Sequence, residues 1–191
     1  FLLISFFSFS QKKELRNAQK LMNQSFYSEA LDVLSQIEGL ISNSELKYQT
    51  HYYYLLGWAQ KMDKNFKDSI FNLKKVLELD KSNEYSDESK KIINDVEVEL
   101  VNLAIEDNDS KNFNDAAAKL YQAYMIDKNQ SSNQNYLYFS AGSLVNAQDY
   151  ETALSYYIKL KDIGYTGVQN QYFVTELESE EEIEVSESEY N

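Results

Sequence analysis

The sequence predicts an all-α fold built from successive antiparallel helix pairs, and three observations carry that prediction. The chain of 191 residues has 5 Gly, no Pro and no Cys. So few breakers suit helices and argue against an all-β fold with many turns. Small and large apolar residues recur at i, i+3, i+4 and i+7, the spacing of one helix face. A register of small residue, aromatic, small residue also returns four times along the chain. Hydrophobic residues make up 43%, enough side chain to build a core.

The elements follow in chain order. The opening FLLISFFSFS is apolar and gives way at once to QKKELRNAQK. Residues 1–10 read as the later part of a secretory signal: an apolar h-region, Ser8-Phe9-Ser10 at the cleavage position, and Gln11 as the new N-terminus. The basic n-region and an initiator Met are missing, which reads as a fragment of a longer chain. The apolar run is too short to cross a bilayer, so no transmembrane segment is expected. With no Cys after the site, lipid anchoring on cysteine is excluded. The expected location is the periplasm or cell envelope.

Four helix pairs are expected over residues 11–163, at about 12–40, 47–80, 87–127 and 134–163. The clearest is the stretch Tyr52–Asn83. Its first helix carries Tyr53, Leu56, Gly57 and Gln60 on one face, and its second carries Phe66, Ser69, Ile70, Leu73, Val76 and Leu77. Asp63-Lys64-Asn65 supplies the turn, with Asn65 as the residue suited to a left-handed backbone. In each pair two small residues stand twelve apart: Ala18 and Ala30, Gly57 and Ser69, Ala104 and Ala116, Ala141 and Ala153. Two helices approach closely only where both present small side chains. Tyr27, Phe66, Phe113 and Tyr150 precede the second small residue by three and are expected to plug the space beside the turn. Leu34, Leu73, Leu120 and Tyr157 follow it by four and are expected to fill the groove beneath. Glu29, Asp68, Asp115 and Glu151 fall in the first turn of each second helix, where they suit the positive end of its dipole.

On these residues the chain resembles a tetratricopeptide repeat (TPR) protein over about residues 12–163. Leu56-Gly57, Phe66, Ser69 and Leu73 match the family pattern in the second pair. Asn112-Phe113, Ala116, Leu120 and Ala123 match in the third, and Asp149-Tyr150, Ala153 and Tyr157 in the fourth. The first pair is the weakest, with Asn17 where Leu is expected. Two departures stand out. The closing Pro is absent, with Leu79-Asp80-Lys81-Ser82-Asn83 and Ile126-Asp127-Lys128-Asn129 in its place. The second small residues, at 30, 69, 116 and 153, are 39, 47 and 37 apart, against a family period of about 34. The largest excess is expected to lengthen the helix from about Asp87 to Glu106. The resemblance implies a right-handed superhelix of antiparallel helix pairs whose first helices line a concave groove.

After the last pair, Gly164 is expected to end the helix and Val168–Val174 to run as a short extended segment. The remainder to residue 191 is acidic. From Glu176 onward there are eight Glu and no Lys or Arg; the rest of the chain holds 31 − 8 = 23 acids against 18 bases, so the tail accounts for most of the net −13. That balance argues against nucleic acid as a partner, because such binding rests on Lys and Arg against phosphate.

Nothing in the sequence points to catalysis. There is one His and no Cys, and no Gly-rich phosphate loop, HExxH or GxSxG sequence. Asp107-Asn108-Asp109 reads as a turn, without the alternating acidic frame a calcium loop needs. No enzyme activity, cofactor or metal is expected. The expected function is a scaffold binding a protein or peptide in the concave groove. The second pair's candidate groove stripe is His51, Tyr54, Trp58 and Lys61; the first pair gives Lys12, Leu15, Gln19 and Met22. The third gives Val98, Val101, Ile105 and Asn108, and the fourth Asn135, Tyr138, Gly142 and Val145. Trp58, the single Trp, is the expected hot spot. Some family members grip a partner's C-terminal carboxylate with Lys and Asn, but Leu15, Gln19, Tyr54 and Trp58 occupy those places here. The alternative is glycan or small-molecule binding on an aromatic platform around Trp58.

Overall fold

The computed structural model describes residues 2–167, 172–175 and 182–185. Its helices are α1 (Leu2–Asn23), α2 (Tyr27–Ser35), α3 (Glu38–Ile41), α4 (Leu46–Met62), α5 (Phe66–Leu79), α6 (Ser86–Asp109), α7 (Phe113–Ile126), α8 (Ser131–Asn146) and α9 (Tyr150–Asp162). Each packs mainly against its neighbours in sequence, α1 on α2, α4 on α5, α6 on α7 and α8 on α9, with α4 also touching α1, α2 and α6. Two four-residue strands, β1 (Tyr172–Thr175) and β2 (Glu182–Val185), pair antiparallel with Tyr172 opposite Val185. So part of the stretch expected to be an acidic tail forms a strand, Glu182–Val185, with the sequence EIEV. The rest of that tail, and residues 168–171 of the expected extended segment, lie outside the described residues. Residues 2–10 continue α1 without a break into residues 11–23. No described helix is long and apolar enough to cross a membrane.

Four of the helix–helix connections are built alike, and the likeness is in the backbone. Each is three residues long with a left-handed residue in the middle: Ser25 (φ 63°), Lys64 (φ 60°), Lys111 (φ 64°) and Gln148 (φ 64°). In each, the amide after that residue donates back across the helix end. Asn65 N–H bonds Gln60 O at 2.8 Å, Asn112 N–H bonds Asp107 O at 2.7 Å, and Phe26 N–H bonds Leu21 O and Asp149 N–H bonds Leu144 O, both at 2.9 Å. The left-handed residue itself donates to the carbonyl three back, as Lys64 does to Lys61 at 3.0 Å. This pair of bonds satisfies the last free carbonyls of the first helix. It corrects the expectation for Asn65, whose φ is −83°; the left-handed position belongs to Lys64.

The small residues then meet where the helices cross. Ala18, Ala30, Gly57, Ser69, Ala104, Ala116, Ala141 and Ala153 are all buried. At the tightest crossing, Ser69 Oγ donates to Gly57 O at 2.7 Å, and a Cβ added to Gly57 would lie 2.6 Å from Leu73 Cγ. Leu34, Leu73 and Leu120 fill the space beneath, as does Phe66 beside its turn. The last pair departs from this plan. Tyr150 is 62% exposed and Tyr157 is also exposed, because no described helix packs beyond α9. There Leu160 and the half-buried Tyr156 take the inward positions.

Candidate functional site

Of the stripe expected to face an open groove, Tyr54 is buried and His51, Trp58 and Lys61 are half-buried. Helix α4 is enclosed by α1, α2, α5 and α6, so from Tyr48 to Lys61 no residue is exposed. Its fully buried positions include Tyr52, Leu55 and Ala59, beside rather than on the face formed by Tyr53 and Leu56, which are only half-buried. Tyr54 is 9% exposed and Met22 2%, so both are core residues, as is Leu15. The covering element is the six-residue connection between α5 and α6, and Tyr85 is its lid. The Tyr85 ring stacks on His51 with centroids 5.2 Å apart and on Tyr54 at 4.9 Å; Tyr54 in turn tilts against Trp58 at 5.9 Å. His51 Nε2 bonds Gln19 Oε1 at 3.1 Å, and Lys61 pairs with Glu99 at 3.5 Å. Burial lowers the His51 pKa below its ordinary value, with Glu84 opposing, and burial raises that of Tyr54. Gln19, His51, Tyr54, Trp58 and Tyr85 thus form one packed cluster between α1 and α4, while Lys61 joins α4 to α6 through Glu99.

The residues from the fourth stripe stand elsewhere. Asn135 and Tyr138 line a cavity of ≈ 850 Å³ at the C-terminal end of α9, together with Phe139, Tyr157, Lys161 and Tyr165. The Tyr165 hydroxyl donates to Asn135 Oδ1 at 2.6 Å, and Tyr138 meets Tyr157 and Tyr165 at 6.0 and 5.9 Å. Val98, Ile105 and Val145 are exposed on the outer surfaces of α6 and α8.

Asp80 stands where the family pattern has its closing Pro. Its Oδ2 accepts from Tyr85 N at 2.7 Å, Ser86 N at 2.9 Å and Ser86 Oγ at 3.0 Å, and its Oδ1 accepts from Ser82 Oγ at 2.9 Å. Burial pushes its carboxyl up, but these bonds and one from the Glu84 backbone together outweigh burial and hold it at about 2. A carboxylate that ties α5's end to α6's start does what a proline ring does by stiffness, and it holds the Tyr85 lid in place. Asp127, after α7, makes only a local bond, accepting from Asn129 N at 3.0 Å.

A second open site is one the sequence reading missed. Between α5 and α7 lies a cleft of ≈ 710 Å³. Ile70 and Phe71 wall it on one side, Tyr121 and Met125 on the other, and Ala117, Ser140, Leu144 and Tyr156 lie beneath. Phe71 is 58% exposed and Met125 41%. Lys67 and Lys74, two turns apart on α5, stand at its edge, and no Asp or Glu lines it. The cleft exists because α5 and α7 scarcely touch: each packs on α6 instead. Helix α6, which packs on both, is 24 residues long against 17 for α4 and 16 for α8. The signal was therefore present as the 47-residue spacing between Ser69 and Ala116, along with Phe71 and Met125, which fall off the buried stripes of their helices. Among the described residues, no three of His, Asp and Glu are grouped so as to hold a metal ion. The sequence matches no protein-family model and no curated protein.

Proposed function

We propose that the chain is a non-catalytic interaction scaffold that holds a protein or peptide partner by shape and apolar burial. In this reading the helix pairs form a right-handed TPR-type solenoid, exported to the periplasm or cell envelope. The observation that carries it is the α5–α7 cleft, whose volume and apolar lining fall in the range of functional binding pockets. Its large exposed side chains, Phe71 and Met125, gain from being covered. The recurring small-residue crossings and the four like turns support the repeat part of the reading. FLLISFFSFS followed by QKKELRNAQK supports export. A glycan platform around Trp58 is the less favoured reading, because Trp58 is half-buried and its neighbours His51 and Tyr54 are stacked under Tyr85.

A peptide-display library selected on the purified chain tests the binding claim. The expected outcome is enriched sequences whose affinity drops about tenfold or more on pairing Phe71→Ser with Met125→Ser, since a few central anchors dominate such interfaces. Both positions are exposed, so the thermal melt should barely move. A library that returns no binder, or only binders indifferent to that pair, would refute the scaffold. For export, replacing Leu2, Leu3 and Ile4 with Asp should abolish secretion; unchanged secretion would remove that part of the proposal.

A further inference from the structure

We propose that the occupant of the α5–α7 cleft is an acidic amphipathic α-helix of about three turns, supplied in trans by a partner polypeptide; this rests on the scaffold reading above and names its partner's chemistry. Charge is the first argument. The whole chain has a net charge of −13, yet Lys67 and Lys74 edge the cleft, Lys75 lies over the Phe71 ring and Lys159 over the Tyr121 ring. Among the described residues, none of these four lysines makes an ion pair, and the Lys74 ammonium donates only to the Ile126 carbonyl. A run of cations without carboxylates around an apolar trough in an acidic protein is complementary to a ligand with apolar anchors between carboxylates.

Backbone chemistry is the second argument, and it selects a helix over a strand. The walls are α-helices whose own amides and carbonyls are already paired. An extended peptide laid between them would find no ladder, and its buried N–H and C=O groups would go unpaired. A helix satisfies those groups internally and presents side chains alone. Size agrees. The α7 wall from Asn114 to Met125 is about 16 Å long at 1.5 Å per residue. A helix about 10 Å across, embedded to half its depth over that length, displaces roughly 600 Å³, against a cleft of ≈ 710 Å³. The small, exposed Ala118 lets its backbone come close.

The test uses the full chain and two labelled model peptides, followed by fluorescence anisotropy. One is a helical peptide of about 16 residues with Leu at i, i+3, i+4 and i+7 flanked by Glu; the other is identical with Lys for Glu. The acidic peptide should bind and weaken with added salt, and the basic one should bind at least about tenfold less well. Lys67→Glu, an exposed site, should weaken the acidic peptide about fivefold or more and improve the basic one. Phe71→Ser should weaken both. Equal binding of the two peptides, or a Lys67→Glu variant that leaves the acidic one unchanged, would overturn the inference. So would oleate displacing the acidic peptide from the cleft at equal concentration, which would make the ligand a free anionic amphiphile. A large gain in affinity on deleting residues 168–191 would put the chain's own acidic tail there and overturn a partner in trans. If neither model peptide binds while the display library still returns cleft-dependent sequences, the acidic helix alone falls and the scaffold stands.

Discussion

Adding one methyl group at two glycines, both inside first helices of a pair, should move stability in opposite directions. In a helix interior, Gly to Ala is favourable by about 1 kcal/mol. Gly142, on α8, has nothing within 4 Å of where a Cβ would sit, so Gly142→Ala should show that gain nearly whole. At Gly57 the new Cβ would stand 2.6 Å from Leu73 Cγ, 3.0 Å from Leu73 Cδ2 and 3.2 Å from Leu73 N. Ordinary carbon contacts are about 3.5–4.0 Å, so the overlap is about 1 Å. Leu73 is fully buried and its backbone nitrogen is also close, so a rotamer change cannot relieve the clash; α5 itself must shift. That shift would also strain the Ser69 Oγ to Gly57 O bond. Overpacking of this kind costs about 1–3 kcal/mol. The propensity gain is common to both variants, so their difference isolates the packing cost, about 2 kcal/mol or some 4–8 °C in Tm for a chain of this size. Thermal and urea melts followed by helical circular dichroism would measure it. In Gly57→Ala/Leu73→Ala, which removes the clashing Cγ and Cδ2, the two losses should be less than additive. A Gly57→Ala variant as stable as Gly142→Ala would refute the close α4–α5 crossing.

Three more expectations concern the turns and the sealed cluster. Lys64→Gly and Lys111→Gly relieve non-glycine residues in the left-handed region, and each should raise stability by about 0.5–1 kcal/mol in urea melts; a loss would contradict the turn geometry. Asp80→Ala removes four hydrogen bonds that fix the α5–α6 connection, two of them to Ser86 at the start of α6, and should cost about 1–3 kcal/mol at neutral pH. Because the Asp80 pKa is depressed to about 2, its contribution is whole above the ordinary carboxylate range. The gap between wild type and variant should therefore shrink as pH falls from about 4 toward 2. His51 has its pKa lowered chiefly by burial, so the unfolded chain holds the proton more tightly. Its contribution should be whole above about pH 6.5 and lost as pH falls below that value. As the single His, it makes His51→Gln the clean control: the variant should lose this slope between pH 7.5 and 5, and an unchanged slope would rule His51 out as its source.

The parts of the fold legible in sequence were those where local chemistry and packing ask for the same residue. The twelve-residue spacing of Gly57 and Ser69 is one, since a close crossing tolerates only small side chains at both points and leaves Leu73 nowhere to lie but beneath it. What stayed hidden depends on one element's effect on another. Asn65 is the better left-handed residue by intrinsic preference, yet the hydrogen bonds of the helix end place Lys64 there. Periodicity divides α4 into an inner and an outer face, but four neighbouring helices leave it no outer face. Tyr85 sits in a connection without periodic signal, and its ring closes the surface that His51 and Tyr54 were expected to offer. The candidate site moved for the same reason. The cleft between α5 and α7 depends on how separate helices pack, and in sequence it was hinted at by the excess residues between Ser69 and Ala116 and by Phe71 and Met125 off their buried stripes.

The most direct measurement of the binding claim is hydrogen–deuterium exchange of the full chain, alone and saturated with a display-selected peptide. Occupancy of the cleft predicts added protection over residues 67–74 and 114–125, with α4 from residue 48 to 61 unchanged because it is already enclosed. Protection confined to the first helices, with none along α5 and α7, would contradict it.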